Sequence, residues 1–347
     1  MSMSTGWQRY LVMSTLKVGL IGFGKWVRQA YLPVLTEMSG AQVVAVSAAS
    51  EQSRADARQA LGDHVRLYDG YQRLLHDEDV QAVMIALPNE LHADAIEAAA
   101  AAGKHIFIEP PLGLDDAQIS RALTAIEAAQ TQGVVVRADH ELRYVPVVTA
   151  AMRLVDQGRI GRPRMARVRL WCNWALDGNE DFKAYRPQGF FMWLGCWYLD
   201  LIDCVFAAEV RRADVAGGYA SNGRLMDHGW AALSFEHGLG LFEFNLTATA
   251  GTDIRFAIAA SDGEVEADLL TGEYRWRNRD GQWQTAKAPG SLPVHGFVGM
   301  RESIIAFADA VGDGSGRAGT TPPPDLEVCR RVNQAAAACT AAERANT

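Results

Sequence analysis

Gly22 and Gly24 stand one residue apart in GLIGFGKWV, at the end of an apolar run and directly before a helix-like stretch. Glycines so placed permit a tight turn and let the backbone approach a pyrophosphate held on the free N–H groups of the helix start. Farther along, His140, Arg143 and Tyr144 crowd into DHELRYVP (139–146). Histidine exchanges protons near neutral pH, and arginine and tyrosine hold a carboxylate or a sugar hydroxyl. A third stretch, IFIEPPLGL (106–114), ends an apolar run in Glu109 and follows it with Pro110 and Pro111. Trp171, Trp174, Trp193 and Trp197 are four of the nine tryptophans, and their faces suit sugar rings or planar apolar ligands.

These residues need elements to position them. Over the first 139 residues short apolar strands alternate with helices: KVGLIGF, AQVVAVS, VRLYD, QAVMIALP, KHIFIEP and VVVRAD, with helical segments between. Apolar strands separated by helices predict a parallel sheet covered on both faces. Pro33 is expected to interrupt or kink the first helix. Beyond residue 140 a helix is followed by eight strand-like segments, from RMARVRLWCNW to GQWQTAK. Three hairpin dipeptides, His237-Gly238, Asp262-Gly263 and Asp280-Gly281, predict an antiparallel sheet. Two more helices close the chain around the loop GDGSGRAGTTPPP. The expected fold is therefore α/β. A Rossmann-type parallel sheet over 16–139 is followed by a substrate and dimerisation domain over 140–347, and residues 1–15 are a loosely held N-terminus.

Composition removes several classes. The net charge of −8 and a pI near 5.5 argue against nucleic acid as partner. No run of about 18 apolar residues is present, so no membrane span is expected. The N-terminus has neither the apolar core nor the cleavage site of a secretory signal. Five cysteines without CxxC or Cys/His zinc spacing point to no metal, no disulfide and a reducing, cytoplasmic setting.

The glycine turn predicts a dinucleotide cofactor. Val27 replaces the third glycine of the fingerprint, a position that governs helix–strand packing more than phosphate contact. An acidic residue that would hold the ribose of NAD is missing at Ala48. Ser47, Ser50 and Arg54 stand there instead and can receive a 2′-phosphate, so the cofactor is NADP or NAD with a lean to NADP.

Together these segments resemble the glucose–fructose oxidoreductase / inositol dehydrogenase (Gfo/Idh/MocA-like) family. The resemblance rests on the glycine loop, LPNELH (87–92), IEPPLGL (108–114), DHELRYVP and GFFMWLGCWYLD (189–200), in that order. It implies an oxidoreductase of two domains with the nicotinamide between them, acting on a sugar, a polyol or another small hydroxy or carbonyl compound. It implies cofactor contacts at Gly22, Phe23, Gly24, Lys25, Trp26, Leu87, Pro88, Asn89, His92, Glu109 and Pro110. It also implies a homodimer or homotetramer built through the outer face of the second sheet. His92 is either such a contact or a helix-start residue with a satisfied ring.

The chain departs from the family at the chemistry. Where the family has a catalytic lysine, aspartate and histidine, this sequence has Pro110, Trp193 and Trp197, and only Asp200 remains. Proline does not titrate, and an indole N–H only donates. His140 and Tyr198 are the replacements the sequence offers as catalytic groups; each also reads as structure, a buried, hydrogen-bonded hinge and a packing ring. Arg143, Tyr144, Trp171, Trp193, Trp197 and Asp200 are the expected substrate contacts. The alternatives are a catalytically inactive NAD(P)-binding sensor of the same fold, and a lyase or hydrolase that uses the dinucleotide transiently.

Overall fold

A computed structural model describes residues 15–175, 189–221, 225–279, 281–288, 299–313 and 326–345. Two sheets organise them. The first holds β1 (Leu16–Ile21), β2 (Ala41–Ser47), β3 (Arg66–Tyr68), β4 (Ala82–Ile85), β5 (His105–Ile108) and β6 (Val136–Ala138) in the order β3-β2-β1-β4-β5-β6, and every pairing is parallel. The order reverses between β1 and β4, which opens a crevice at their carboxyl ends. Both faces are covered, so these strands are apolar nearly throughout; β4 is buried at all its positions.

The second sheet holds β7 (Pro163–Trp171), β8 (Arg212–Gly218), β9 (His228–Phe235), β10 (Gly238–Asn245), β11 (Asp253–Ala260), β12 (Gly263–Asp268), β13 (Glu273–Asn278) and β14 (Gln284–Lys287). Its order is β14-β13-β12-β11-β7-β10-β9-β8, antiparallel except for β7 beside β10. Alternation sets its two faces. Ala166, Val168 and Leu170 of β7 turn into the core, while Arg167, Arg169 and Trp171 turn outward. The inner face packs on the helix Cys196–Phe206, where Tyr198 stacks on Phe242 and Phe190 stacks on Phe242 and Phe244.

Pro33 sits in the first turn of the helix Leu32–Glu37, where its missing N–H costs nothing, and a π-helical turn, Val27–Tyr31, precedes it. The hairpin glycines act differently from the expectation. The turns are Glu236-His237 and Ser261-Asp262, one residue earlier, and Gly238 and Gly263 begin the next strands. A Cβ on Gly238 would lie 2.2 Å from the Phe206 ring, so close packing requires glycine there. Asp280 and residues 314–325 of the last loop lie outside the described residues, as do residues 1–14.

The helix Met300–Asp313 returns to the first sheet: Met300, Ile304 and Phe307 join its core, and the Phe307 and Phe107 rings are 5.5 Å apart. The helix Leu326–Ala345 spans both units. Its Asn333 Oδ1 accepts from the Leu112 N–H at 3.1 Å, and it also packs on the helix Cys196–Phe206. The C-terminal unit expected over 140–347 thus sends chain back across the boundary at residue 139. Among the described residues no helix is long and apolar enough to cross a membrane.

Candidate nicotinamide site

The glycine turn lies at the end of β1, in the crevice. Gly22 has φ +98°, and a Cβ there would sit 2.3 Å from the Ala86 carbonyl oxygen at the end of β4. Gly24 faces open space, with nothing within 4 Å of where its Cβ would be. The first helical turn starts there, the Arg28 N–H donating to the Gly24 carbonyl. Phe23 and Val27 are buried, so the valine in place of a third glycine packs beneath the helix. Lys25 is exposed at the turn. This cradle fits a dinucleotide: backbone forms the floor and no side chain fills it.

Ser47 is buried at the end of β2, and Ser50 caps the helix Glu51–Leu61 by accepting from the Ser53 N–H. Arg54 bends back, its Nη1 donating to the carbonyls of Ala48 at 2.7 Å and Ala49 at 2.8 Å. The guanidinium therefore rests over the strand end, where a ribose would lie.

At the end of β4, Leu87, Pro88 and Asn89 lead into the helix His92–Ala101. The Asn89 Nδ2 is buried and makes no hydrogen bond among the described residues. His92 is fully buried, with Nδ1 2.7 Å from the Pro111 carbonyl and Nε2 2.8 Å from the Leu87 carbonyl. Burial pushes its pKa down against these two acceptors. The ring ties the two site segments together, so the satisfied-ring alternative describes it and the cofactor contact does not.

Glu109 ends β5, and the Pro110–Pro111 bond is cis. Its Oε1 accepts from the Trp26 Nε1 at 2.6 Å and from the Tyr31 hydroxyl. Its Oε2 has no donor among the described residues. Asp139 and Glu141 lie against it, and the Ser303 hydroxyl donates to Asp139 Oδ1 at 2.6 Å. Burial pushes all three carboxyls up: Asp139 to about 6, with the Asp200 charge adding to it while its bonds to Ser303, Glu141 and Glu109 pull it down, and the two glutamates well above their ordinary value, with the Asp139 charge adding to both. Burial also raises Tyr31, helped by the neighbouring Glu109 charge.

Trp197 crosses from the second unit. Its ring centroid lies 6.2 Å from that of Trp26, tilted by 51°, and its buried Nε1 has no partner among the described residues. Trp193 sits half-buried a turn earlier, in the π-helical stretch Phe191–Gly195. Pro110, Trp193 and Trp197 thus leave no titratable side chain at the three positions where the resemblance expects chemistry.

Several expected contacts sit elsewhere. Arg143 is buried and grips Asp200 with two nitrogens, Nε to Oδ2 at 2.9 Å and Nη2 to Oδ1. The pair joins the segment Glu141–Tyr144 to the helix Cys196–Phe206 and presents neither charge to a substrate. His140 is fully buried, 3.5 Å from Asp200 Oδ1, with neither ring nitrogen hydrogen-bonded among the described residues. Burial pushes its pKa down to about 4, so the ring is neutral at pH 7. Its burial matches the hinge alternative, while the ring hydrogen bonds that alternative carries are absent among the described residues. Tyr198 stacks on Phe242 at 5.3 Å inside the core, a rotation of about 100° from Trp197 along the helix. Its catalytic expectation gives way to packing. Trp171 is 40% exposed on the outer sheet face under Arg169, on the opposite side from the crevice. Tyr144 stays half-buried beside Arg143, its hydroxyl pushed up to about 12 by burial. Sequence reasoning missed Asp139, Glu141, Tyr31 and Ser303. The signal for the first two was present in the run of charge DHE at a strand end.

A doubly wound sheet with a glycine turn at its switch point, carrying a second, mostly antiparallel sheet, defines a nucleotide-binding α/β protein of two units. Residues 16–140 match the model of an oxidoreductase family with an NAD-binding Rossmann fold, and residues 148–266 match the GFO/IDH/MocA C-terminal domain. A 1,5-anhydro-D-fructose reductase of Ensifer adhaerens is 34% identical over 87% of this chain and 90% of its own length. The chain belongs to the GFO/IDH/MocA oxidoreductase family, whose cofactor is NAD or NADP. In fold it is similar to an oxidoreductase domain protein from Kribbella flavida, with TM-score 0.82 at 20% identity over 96% of this chain and 98% of that one. It is similar also to the scyllo-inositol dehydrogenase of Lactobacillus casei solved with NAD(H) and scyllo-inositol, with TM-score 0.80 at 21% identity over 96% and 98%.

Proposed function

We propose that this chain is an NADP-preferring oxidoreductase acting on a sugar-like or other small hydroxy or carbonyl compound, without the usual lysine, aspartate and histidine. The observation that carries this reading is the glycine turn, with open space at Gly24 and a carbonyl wall behind Gly22. Gly22, Phe23, Gly24, Lys25 and Trp26 hold the phosphates, and Asn89 offers its free amide nitrogen to the nicotinamide side. Arg54, Ser47 and Ser50 face the adenosine ribose and favour a 2′-phosphate. Trp193 and Trp197 offer aromatic faces to the substrate ring. The curated reductase relative supports a sugar-derived substrate.

A second reading has its own observation. With Pro110, Trp193 and Trp197 at the three chemical positions, the protein would be an inactive NAD(P)-binding sensor. One experiment separates the two. The protein is incubated with NADP⁺ or NAD⁺ and a panel of sugars and polyols, and with the reduced cofactors and the matching carbonyl compounds, while absorbance of the reduced cofactor is followed. Turnover supports the oxidoreductase. Tight cofactor binding without turnover on any compound supports the sensor.

The outer face of the second sheet fits a homo-oligomer in the cytoplasm. Trp171, Trp230, Leu239 and Trp283 are exposed there, and a hollow of about 540 Å³ opens between Trp171, His228 and Trp230. Sedimentation of Trp230→Glu against the unaltered chain tests this: a monomeric variant from a dimeric or tetrameric parent supports it, and a monomeric parent removes it.

A further inference from the structure

Hydride exchange with an alcohol or carbonyl requires a partner for the oxygen and its proton. The family positions supply none here. Two buried polar atoms beside the site nevertheless lack partners among the described residues, Glu109 Oε2 and Trp197 Nε1. Trp26 lies between them: its N–H is spent on Glu109 Oε1 at 2.6 Å, and its ring packs on Trp197. The geometry points to Glu109 as the proton donor and acceptor of this enzyme, with the Trp197 N–H holding the substrate oxygen. The inference rests on the oxidoreductase reading of this same site.

The hydrogen-bond pattern explains which oxygen carries the proton. Both donors from the glycine-turn helix, Trp26 Nε1 and the Tyr31 hydroxyl, go to Oε1. Oε2 takes neither, and the outer oxygens of the neighbouring carboxyls, Asp139 Oδ2 and Glu141 Oε2, also lack donors among the described residues. Three carboxyls packed together, with no cation bonded to any of them among the described residues, favour sharing protons. From the remaining elements, Ser303 reaches the cluster through Asp139, Cys196 and Asp200 face it from their helix, Arg137 lies on β6, and the neutral His140 lies behind. Burial raises the Glu109 pKa and the Asp139 charge adds to it, the direction that favours the protonated acid. Asp139 and Glu141 are positioning residues that keep it so.

The reaction balances with these groups. In reduction, a nicotinamide cofactor held at the glycine turn would supply the hydride to the carbonyl carbon and would itself be oxidised. The C=O π pair becomes an O–H bond to the proton leaving Glu109 Oε2. The carboxylate so formed is stabilised by the Trp26 and Tyr31 donors and regains a proton from solvent through the carboxyl cluster. In the reverse direction the ionised carboxylate takes the hydroxyl proton. Pro110 stands where the resemblance places a lysine, so that position brings no cation to the site.

The test uses the whole protein with NADPH or NADH and 1,5-anhydro-D-fructose, and with NAD(P)⁺ and scyllo-inositol. Glu109→Gln is expected to lower kcat by about 10²–10⁴-fold and flatten its pH dependence, with cofactor affinity kept. Trp197→Phe keeps the ring and loses the N–H, and is expected to cost about 10²-fold. Asp139→Asn, which keeps the shape and removes the nearby charge, is expected to move the pH limb of kcat to lower pH; a merely structural role would lower kcat and leave the limb in place. Difference infrared between the unaltered protein and Glu109→Gln reads the same group without turnover, and at pH 7 should show the carbonyl stretch of an un-ionised carboxylic acid. An ionised Glu109, or Glu109→Gln with an unaltered rate and pH profile, overturns the inference and leaves the oxidoreductase reading standing. An unaltered protein that binds NADPH and turns over no compound overturns both.

Discussion

Arg143 Nε lies 2.9 Å from Asp200 Oδ2, and its Nη2 binds the other carboxylate oxygen, in a pair from which water is excluded on both sides. Asp203, 3.8 Å from the same guanidinium, is gripped in turn by Arg331 at 2.7 Å. The chain of charges locks the segment after β6 to the helices Cys196–Phe206 and Leu326–Ala345. Asp200 remains where three neighbouring chemical positions have changed, and this role accounts for it without any contact to substrate.

The first prediction follows from that pair. Asp200→Ala leaves Arg143 buried without its main partner, and urea unfolding should show a loss of about 3–5 kcal/mol. The double variant Arg143→Met/Asp200→Leu should recover most of it, because the same volume then packs without a buried charge. A single variant as stable as the parent would mean that the pair contributes nothing to the fold.

The glycine turn offers a cleaner separation of folding from binding. Gly22→Ala puts a Cβ at a φ of +98° and 2.3 Å from the Ala86 oxygen. It should cost at least about 2 kcal/mol of stability. Gly24→Ala meets nothing in the protein and should leave the melting temperature unchanged. Its methyl instead stands where the phosphates approach, so cofactor affinity should fall by tenfold or more. Thermal melts and NADPH fluorescence titrations read the two effects. A Gly24 variant that binds normally would place the phosphates elsewhere.

Cofactor choice should turn on Arg54. Its guanidinium is held over the end of β2 by the Ala48 and Ala49 carbonyls and lies on the side of the Ser50 cap. One charge-assisted bond to a 2′-phosphate is worth about 1.5–3 kcal/mol. Arg54→Ala should therefore weaken NADP binding by tenfold or more and change NAD binding little. Equal losses for both dinucleotides, or a parent that binds NAD more tightly, would reverse the assignment.

The fold was legible because it is written in periodicity. Apolar β-runs between helices, then eight alternating segments, specify the two sheets, and the glycine pair marks the crevice. The buried network was less legible because it is assembled from distant residues. Glu109, Asp139 and Ser303 converge only when the helix Met300–Asp313 returns to the first sheet, and no spacing announces that return. Trp171 and Tyr198 fell on the wrong side for a related reason. One residue of strand or helix phase separates an inward ring from an outward one, and a tryptophan-rich stretch does not declare its phase.

His140 provides a prediction in pH. Its folded pKa of about 4 lies below the ordinary value near 6.5, because burial disfavours the imidazolium. Between those values the unfolded chain binds a proton that the folded one refuses. Stability attributable to His140 is therefore fully present above about pH 6.5 and is lost as the pH falls toward 4. Asp139, raised to about 6, works in the opposite sense over an overlapping window, so the parent alone shows only the difference. Replacing the histidine isolates its part. In His140→Leu the stability lost between pH 7 and pH 4.5 should be smaller than in the parent by on the order of 2 kcal/mol. Urea midpoints at the two pH values measure it. Identical pH dependence in parent and variant would mean that the ring takes up its proton in the folded state as readily as in water, and that Asp200 reaches it despite the grip of Arg143.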